Sequence, residues 1–211
     1  MIADRRVDPT MTSQNQIPFD VLEPTSGTSV FRTGDVLVYL AMGPKSEWGS
    51  MPWARGQFDI NVTGLYLTIQ AAATGGVRKV VIASSMSVFA DYLNPSGQPR
   101  EPDATDAYGL SKRLGEQLAR TAATASKLDV IALRLVAPVS DEEWLRGDPP
   151  YADIMTAASD VAAAVRAAIV TTLPGFHAFT ISGDHRNRTL DMSSARDLLN
   201  WEPKARRPTL D

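Results

Sequence analysis

The sequence predicts an α/β fold with a largely parallel β-sheet and helices on both of its faces. Two observations predict it: apolar runs that are too continuous for half-exposed strands, and helical patterns that lie between them. Strands that alternate with helices along a chain are typical of parallel α/β proteins. The predicted strands cover residues 35–41, 79–83, 129–136 and 177–182, and the predicted helices cover residues 53–74, 105–126, 160–171 and 193–199.

Each predicted element has a local signal. The first three strands are rich in Val, Ile and Leu, as expected for strands that are buried on both faces. The first helix ends before Gly75 and Gly76, and such a pair suits a helix C-terminus. The second helix carries a leucine at every fourth position from 110 to 118, and either Thr105 or Asp106 can cap its start.

Composition narrows the class of protein. With 211 residues, 44% of them hydrophobic and 21% charged, the chain is expected to fold as a globular protein. The net charge is −3, which argues against a nucleic-acid partner, and no apolar run is long enough to predict a membrane span. We therefore expect a cytoplasmic protein. There is no cysteine, and the two histidines, His177 and His185, are assigned no role, so we expect no metal site.

Tyr108 and Lys112 are the candidate catalytic pair. A spacing of four places them on one helix face with Cβ atoms about 5–6 Å apart. An ammonium at that distance would stabilise a phenolate by about 3 kcal/mol, which would lower the tyrosine pKa from about 10 to near 8. Such a tyrosine could act as a general acid or base. The alternative is an ordinary amphipathic helix whose lysine lies in solvent.

The position of this helix favours the catalytic interpretation. Ser84 and Ser85 follow the strand 79–83, and ligands of parallel sheets bind outside the carboxyl ends of the strands. Ser84 itself is interpreted as an ordinary strand-end hydroxyl. Trp48 and Trp53 follow the strand 35–41 and are interpreted as packing residues, with a place at the border of the cleft as the alternative.

Several segments between residues 35 and 203 resemble, in order, the extended short-chain dehydrogenase/reductase family in its NAD-dependent epimerase/dehydratase branch. The segments are DVLVYLAM (35–42), Asn61-Val-Thr-Gly, RKVVIASSMSVF (78–89), EPDATDAYGLSKRLGE (101–116), ALRLVAP (132–138), SDVA (159–162) and LLNWEP (198–203). The resemblance implies a Rossmann-like fold and an NAD(P)-dependent oxidoreductase or epimerase that acts on a hydroxylated or sugar-like small molecule.

The resemblance also implies a role for each catalytic candidate. Tyr108 would be the acid/base that exchanges a proton with the substrate. Lys112 would lower the pKa of Tyr108 and bind the nicotinamide ribose. Ser85 would hold the substrate oxygen, and Asn61 would support a water relay to Lys112.

For the cofactor, NAD or NADP, the resemblance implies contacts at Asp20, Ala41, Lys112 and Pro138. The glycine-rich turn that cradles the pyrophosphate in this family has no counterpart, because no two of the 14 glycines are two or three positions apart. We therefore expect an N-terminally truncated domain that lacks the first two family strands, their helix and the ribose-binding acid.

The expected organisation follows from this truncation. Residues 1–18, which are polar and without period, would be a disordered or rearranged arm. Residues 19–211 would form a single truncated domain with a very small substrate lobe at about 138–211. The strand at 35–41 would lose its neighbour, so we expect residues 1–34 or another subunit to cover its edge.

Three functions stay open at this point. The first is the NAD(P)-dependent enzyme. The second is a cofactor-independent proton-transfer enzyme, such as an isomerase, lyase or cyclase. The third is a non-catalytic interaction protein that reuses the fold. The family also implies a homodimer through the helices at 53–74 and 105–126.

Overall fold

The structure is a computed structural model that describes residues 1–5, 16–24, 30–93, 101–147, 152–186 and 188–207. The strands are β1 (Ile2–Asp4), β2 (Gln16–Pro18), β3 (Val36–Tyr39), β4 (Lys79–Ser85), β5 (Asp129–Leu135), β6 (Pro138–Val139), β7 (Thr156–Ala157) and β8 (Phe176–Ile181). The α-helices are α1 (Met51–Phe58), α2 (Leu65–Thr74), α3 (Ala107–Ala125), α4 (Asp141–Arg146), α5 (Ala158–Val170) and α6 (Ser193–Leu199), with a π-helical turn (Asp59–Gly64) and a 3₁₀ turn (Met86–Val88).

The main sheet has four strands in the order β3-β4-β5-β8, and every pairing in it is parallel. Val38 pairs with Val81, and Val81 pairs with Ile131 in the next strand. The four strands lie at the four predicted places, so the prediction of a parallel α/β sheet is confirmed.

Helices cover both faces of this sheet, because successive residues of a strand point to opposite faces. Val80 and Ile82 of β4 lie in one core cluster with residues of α2 and α3, among them Leu65 and Ala119. Val81, between them, lies in a second cluster with residues of α5 and α6. The near-continuous apolar pattern of the strands follows from this burial on both sides.

The first predicted helix is one helical segment with a wider turn inside it. α1 begins after Ser50, whose side chain accepts a hydrogen bond from Trp53 N, and the π-helical turn then joins α1 to α2. The segment ends where it was predicted to end, with Gly76 at φ +89°. Of the two predicted caps of α3, Asp106 is the one used, and Thr105 is not.

The N-terminal region, expected to be a disordered or rearranged arm, contains two short strands. β1 and β2 form a separate two-stranded parallel sheet, and residues 6–15 between them lie outside the described residues. Hydrogen bonds between short strands thus organise a segment whose composition gives no strand signal.

The edge of β3 is only partly covered. Within the described residues, β3 pairs with β4 alone, and β1 and β2 pair with each other. A groove of about 280 Å³ separates the two sheets, and its lining includes Ala3, Phe19, Phe31 and Leu37. The described parts of residues 1–34 therefore face β3 across a groove and do not extend the main sheet, and covering of this edge by another subunit stays a prediction.

A small lobe follows β5. The short strands β6 and β7 pair with each other, and α4 packs beside them through Trp144, whose indole nitrogen donates to Met155 O at 3.0 Å. Across the described parts of the chain, we find no helix with the length and apolar character that crossing a membrane requires.

Candidate active site

The site lies where β4 ends and α3 begins. Ser85 is the last residue of β4, and its hydroxyl accepts a hydrogen bond from Ser87 N at 3.1 Å, which opens the 3₁₀ turn. The start of α3 packs directly on this turn, since a Cβ at Gly109 would collide with the Ser87 carbonyl oxygen. This close approach is what brings Tyr108 next to Ser85.

Tyr108 interacts with Ser85, but its pKa is raised, whereas a lowered pKa was expected. Burial raises the pKa of the phenol above 10.0, and a hydrogen bond with Ser85 opposes this effect only in part. The expectation that Lys112 brings the pKa of Tyr108 near 8 is therefore wrong for the ligand-free chain. The physical reason is that burying a phenolate is costly, and the nearby carboxylate of Asp106 also disfavours its negative charge.

Lys112 is partly buried, and its amine faces the sheet. Its Nζ donates to Ala83 O at 2.9 Å and lies 6.0 Å from the centroid of the Tyr108 ring. Burial lowers the pKa of Lys112 to about 8, and the charge of Glu116 raises it against this effect. The alternative of a solvated lysine on an amphipathic helix is thus wrong.

Asn61 lies in the π-helical turn and is buried. Its Nδ2 donates to Ser111 Oγ at 3.0 Å, whereas its Oδ1 has no hydrogen-bond partner within the described residues. A cavity of about 10 Å³ is lined by Asn61, Lys112, Ala83 and Tyr39 among others. That volume is about the minimum for one water molecule, so the arrangement suits the water relay implied for Asn61.

A buried ion pair that the sequence pattern did not predict supports the site. Glu116 on α3 accepts two hydrogen bonds from Arg134 on β5, at 2.9 and 2.7 Å. Ser84 donates to the same carboxylate at 2.6 Å, so this strand-end hydroxyl has a structural partner. The signal was present, because Glu116 and Arg134 lie in two of the matching segments.

The three other cofactor candidates do not contact the cluster of Ser85, Tyr108 and Lys112 in the described structure. Asp20 follows β2 and accepts a hydrogen bond from Leu22 N at 2.9 Å. Ala41 follows β3 and lines the groove, and Pro138 is exposed at the start of β6.

Asp4 lies at the end of β1, next to Ala3, which lines the groove. Its carbonyl accepts a hydrogen bond from Phe19 N at 2.9 Å. In dinucleotide-binding folds the acid that binds the ribose follows an early parallel strand. Asp4 is therefore a candidate for that position, which the sequence analysis missed because β1 was not predicted.

The parallel sheet with helices on both faces, together with a serine, a tyrosine and a lysine at its carboxyl edge, defines a Rossmann-like domain of the short-chain dehydrogenase/reductase class. A family model described as the NAD dependent epimerase/dehydratase family matches residues 3–191. The chain belongs to this family.

Three individual proteins are similar to the chain. The L-arabinose 1-dehydrogenase (NAD(P)(+)) of Haloferax volcanii is 27% identical over 139 residues, which cover 57% of this chain and 52% of that protein. The chain thus spans about half the length of this curated relative. A short-chain dehydrogenase/reductase superfamily protein from Agrobacterium tumefaciens, solved with bound NAD, has a TM-score of 0.78 at 16% identity, covering 97% of this chain and 84% of that one. The glucuronic acid dehydrogenase of Chromohalobacter salexigens has a TM-score of 0.73 at 19% identity, covering 96% and 74%.

Proposed function

We propose that the chain is an NAD(P)-dependent oxidoreductase or epimerase that acts on a sugar-like, hydroxylated small molecule. The observation that carries the proposal is the placement of Ser85, Tyr108 and Lys112 together at the carboxyl edge of β4. Membership of the family supports the reaction class. The similarity to an L-arabinose dehydrogenase and a glucuronic acid dehydrogenase supports a sugar as substrate.

The chain's own residues account for the proton transfer. Because burial raises the pKa of Tyr108, the phenol is protonated at neutral pH and can donate its proton to a substrate carbonyl oxygen. Ser85 hydrogen-bonds the phenol and is placed to hold the same oxygen. In the oxidative direction Tyr108 must accept a proton, so we expect the rate of oxidation to rise with pH.

The residues of the chain fit the nicotinamide end of NAD(P) but not its pyrophosphate. Lys112 and Tyr108 suit the ribose beside the nicotinamide, and NAD(P), when bound, supplies hydride transfer. The pyrophosphate end lacks its usual cradle, because the glycines of the chain provide no glycine-rich turn. We therefore expect cofactor affinity to be weak, with a dissociation constant well above that of a dehydrogenase that has this turn.

The test is turnover of L-arabinose and of D-glucuronate with NAD⁺ or NADP⁺, followed by the absorbance of the reduced cofactor. Tyr108→Phe should lower kcat by at least about 100-fold, because it removes the proton donor. Tyr66→Phe is the matched control, since Tyr66 is 48% exposed on α2 and has no place in the site. Equal turnover in the wild-type chain and Tyr108→Phe would contradict the proposal. Turnover of a sugar without cofactor would favour the proton-transfer alternative.

We also propose a homodimer through α2 and α3, as the family resemblance implies. Leu114 on α3 is an exposed apolar residue, and burying it would supply part of the interface. Light scattering at micromolar concentration should give twice the mass of the chain. Leu114→Lys should shift that mass towards the monomer, and a wild-type chain that is monomeric throughout would remove the proposal.

A further inference from the structure

Trp48 is a large aromatic residue that the fold leaves in solvent next to the site. Its exposed fraction is 70%, whereas Trp53, Trp144 and Trp201 are 4–5% exposed. An indole normally buries its ring, because the ring gains more from burial than most other side chains do. The exposure of Trp48 therefore needs an explanation.

The loop around Trp48 is a defined turn. Ser50 N donates to Glu47 O at 3.0 Å, so Trp48 and Gly49 occupy the two central positions of the turn. Gly49 has φ +84°, and Glu47 also has a positive φ of 59°, which is unfavourable for a residue with a side chain. Ser50 then caps α1. The turn thus holds Glu47 in an unfavourable backbone conformation, and residues in such conformations concentrate at functional sites.

Two aromatic contacts fix the indole in place. Its ring lies against the buried Trp53 ring, with centroids 4.3 Å apart. It also lies beside the Tyr108 ring, with centroids 5.7 Å apart and the planes tilted by 47°. Trp48 therefore presents its free surface beside the residue that carries the proposed proton transfer.

We propose that Trp48 is the platform against which the ring of the sugar substrate stacks while Tyr108 acts on its hydroxyl or carbonyl group. The proposal rests on the function proposed above and names one binding residue for it. The face of an indole carries partial negative charge, and a sugar ring presents a face of C–H groups that carry partial positive charge. An acyclic polyol offers hydroxyl groups but no such face, so the platform would favour cyclic substrates.

Intrinsic fluorescence tests the contact without any need for turnover. Trp48 is the exposed indole among the four, so a sugar that stacks on it should change the emission of the wild-type chain. We would titrate with L-arabinose and D-glucuronate, with sorbitol as the acyclic control and NAD⁺ alone as a second control. The expected result is a saturable change with the cyclic sugars that sorbitol does not reproduce and that Trp48→Phe abolishes.

Kinetics provide a second measurement. Trp48→Ala should raise KM for the sugar about tenfold, the effect expected for the loss of one aromatic stacking contact, and should change kcat by less than about twofold. Trp48→Phe should restore part of the affinity. Met51→Ala is the matched control, because Met51 is 83% exposed in the same segment.

The outcomes separate the two proposals. If the chain shows no turnover but its emission changes with the sugars, and this change is lost in Trp48→Phe, the proposed dehydrogenase is refuted and the platform is retained. Three results in a chain that does turn over the sugars would overturn the platform and retain the dehydrogenase. The emission does not change when the sugars are added, the change persists in Trp48→Phe, or the emission changes only when NAD⁺ is added.

Discussion

Replacing Lys112 by methionine should stabilise the folded chain at neutral pH. The structure holds the ammonium in a buried position, which lowers its pKa from 10.5 to about 8. A lysine with a lowered folded-state pKa costs stability wherever it is protonated in both states. From the two pKa values this cost is about 3 kcal/mol at pH 7.

The sign of the pH dependence follows from proton counts. Between pH 8 and 10.5 the unfolded chain binds more protons at Lys112 than the folded chain does, so the stability of the wild type rises with pH in this window. At pH 10 the cost of the buried ammonium falls to about 1 kcal/mol. Methionine also loses the hydrogen bond to Ala83 O, which is worth about 1 kcal/mol.

The net expectation for Lys112→Met is a gain of about 2 kcal/mol at pH 7 that falls to about zero at pH 10. Urea unfolding at both pH values measures it, with Lys45→Met at an exposed position as the control. A variant that is less stable than the wild type at pH 7, or a difference that does not change with pH, would refute the reasoning.

Three further substitutions test the packing around the site. Glu116→Gln should cost about 3 kcal/mol in urea unfolding, because it leaves the guanidinium of Arg134 without its charged partner; an unchanged midpoint would contradict a buried ion pair. Gly109→Ala should lower both Tm and kcat, since its Cβ would displace α3 from the Ser87 carbonyl; normal kcat would show that Tyr108 does not depend on this contact. Ser140→Ala should cost about 1 kcal/mol, because it removes the capping box of α4, and thermal unfolding would show no loss if the cap is unimportant.

The main sheet could be predicted because burial on both faces leaves a strong signal in the sequence. The runs that became β4 and β5 are almost wholly apolar, and no helix pattern competes with them. β1 and β2 have three residues each and carry no such signal. Their pairing depends on contacts made by the rest of the fold, which a local pattern does not record.

For the site, the sequence could predict proximity but not electrostatics. The spacing of Tyr108 and Lys112 predicted one helix face for both, and the end of the strand at 79–83 predicted that Ser85 lies at the same edge of the sheet. Their pKa values depend on how deeply each group is buried, and the arithmetic for two charges at an intermediate dielectric left this burial out. For Trp48 the favoured interpretation as a packing residue is wrong, because the turn that follows β3 leaves it 70% exposed beside Tyr108, at the border of the cleft that was the alternative.

The groove beside β3 has a consequence for how the molecule opens. Within the described residues no backbone hydrogen bond joins the two sheets, and side-chain contacts such as Phe19 against Phe31 connect them. The strands that carry Asp4 and precede Asp20 can therefore separate locally while β4 and β5 stay intact. Amide protons of β1 and β2 should exchange with solvent deuterium orders of magnitude faster than those of the central strands. The side of the groove that carries Asp4 and Asp20 would then be in place only part of the time.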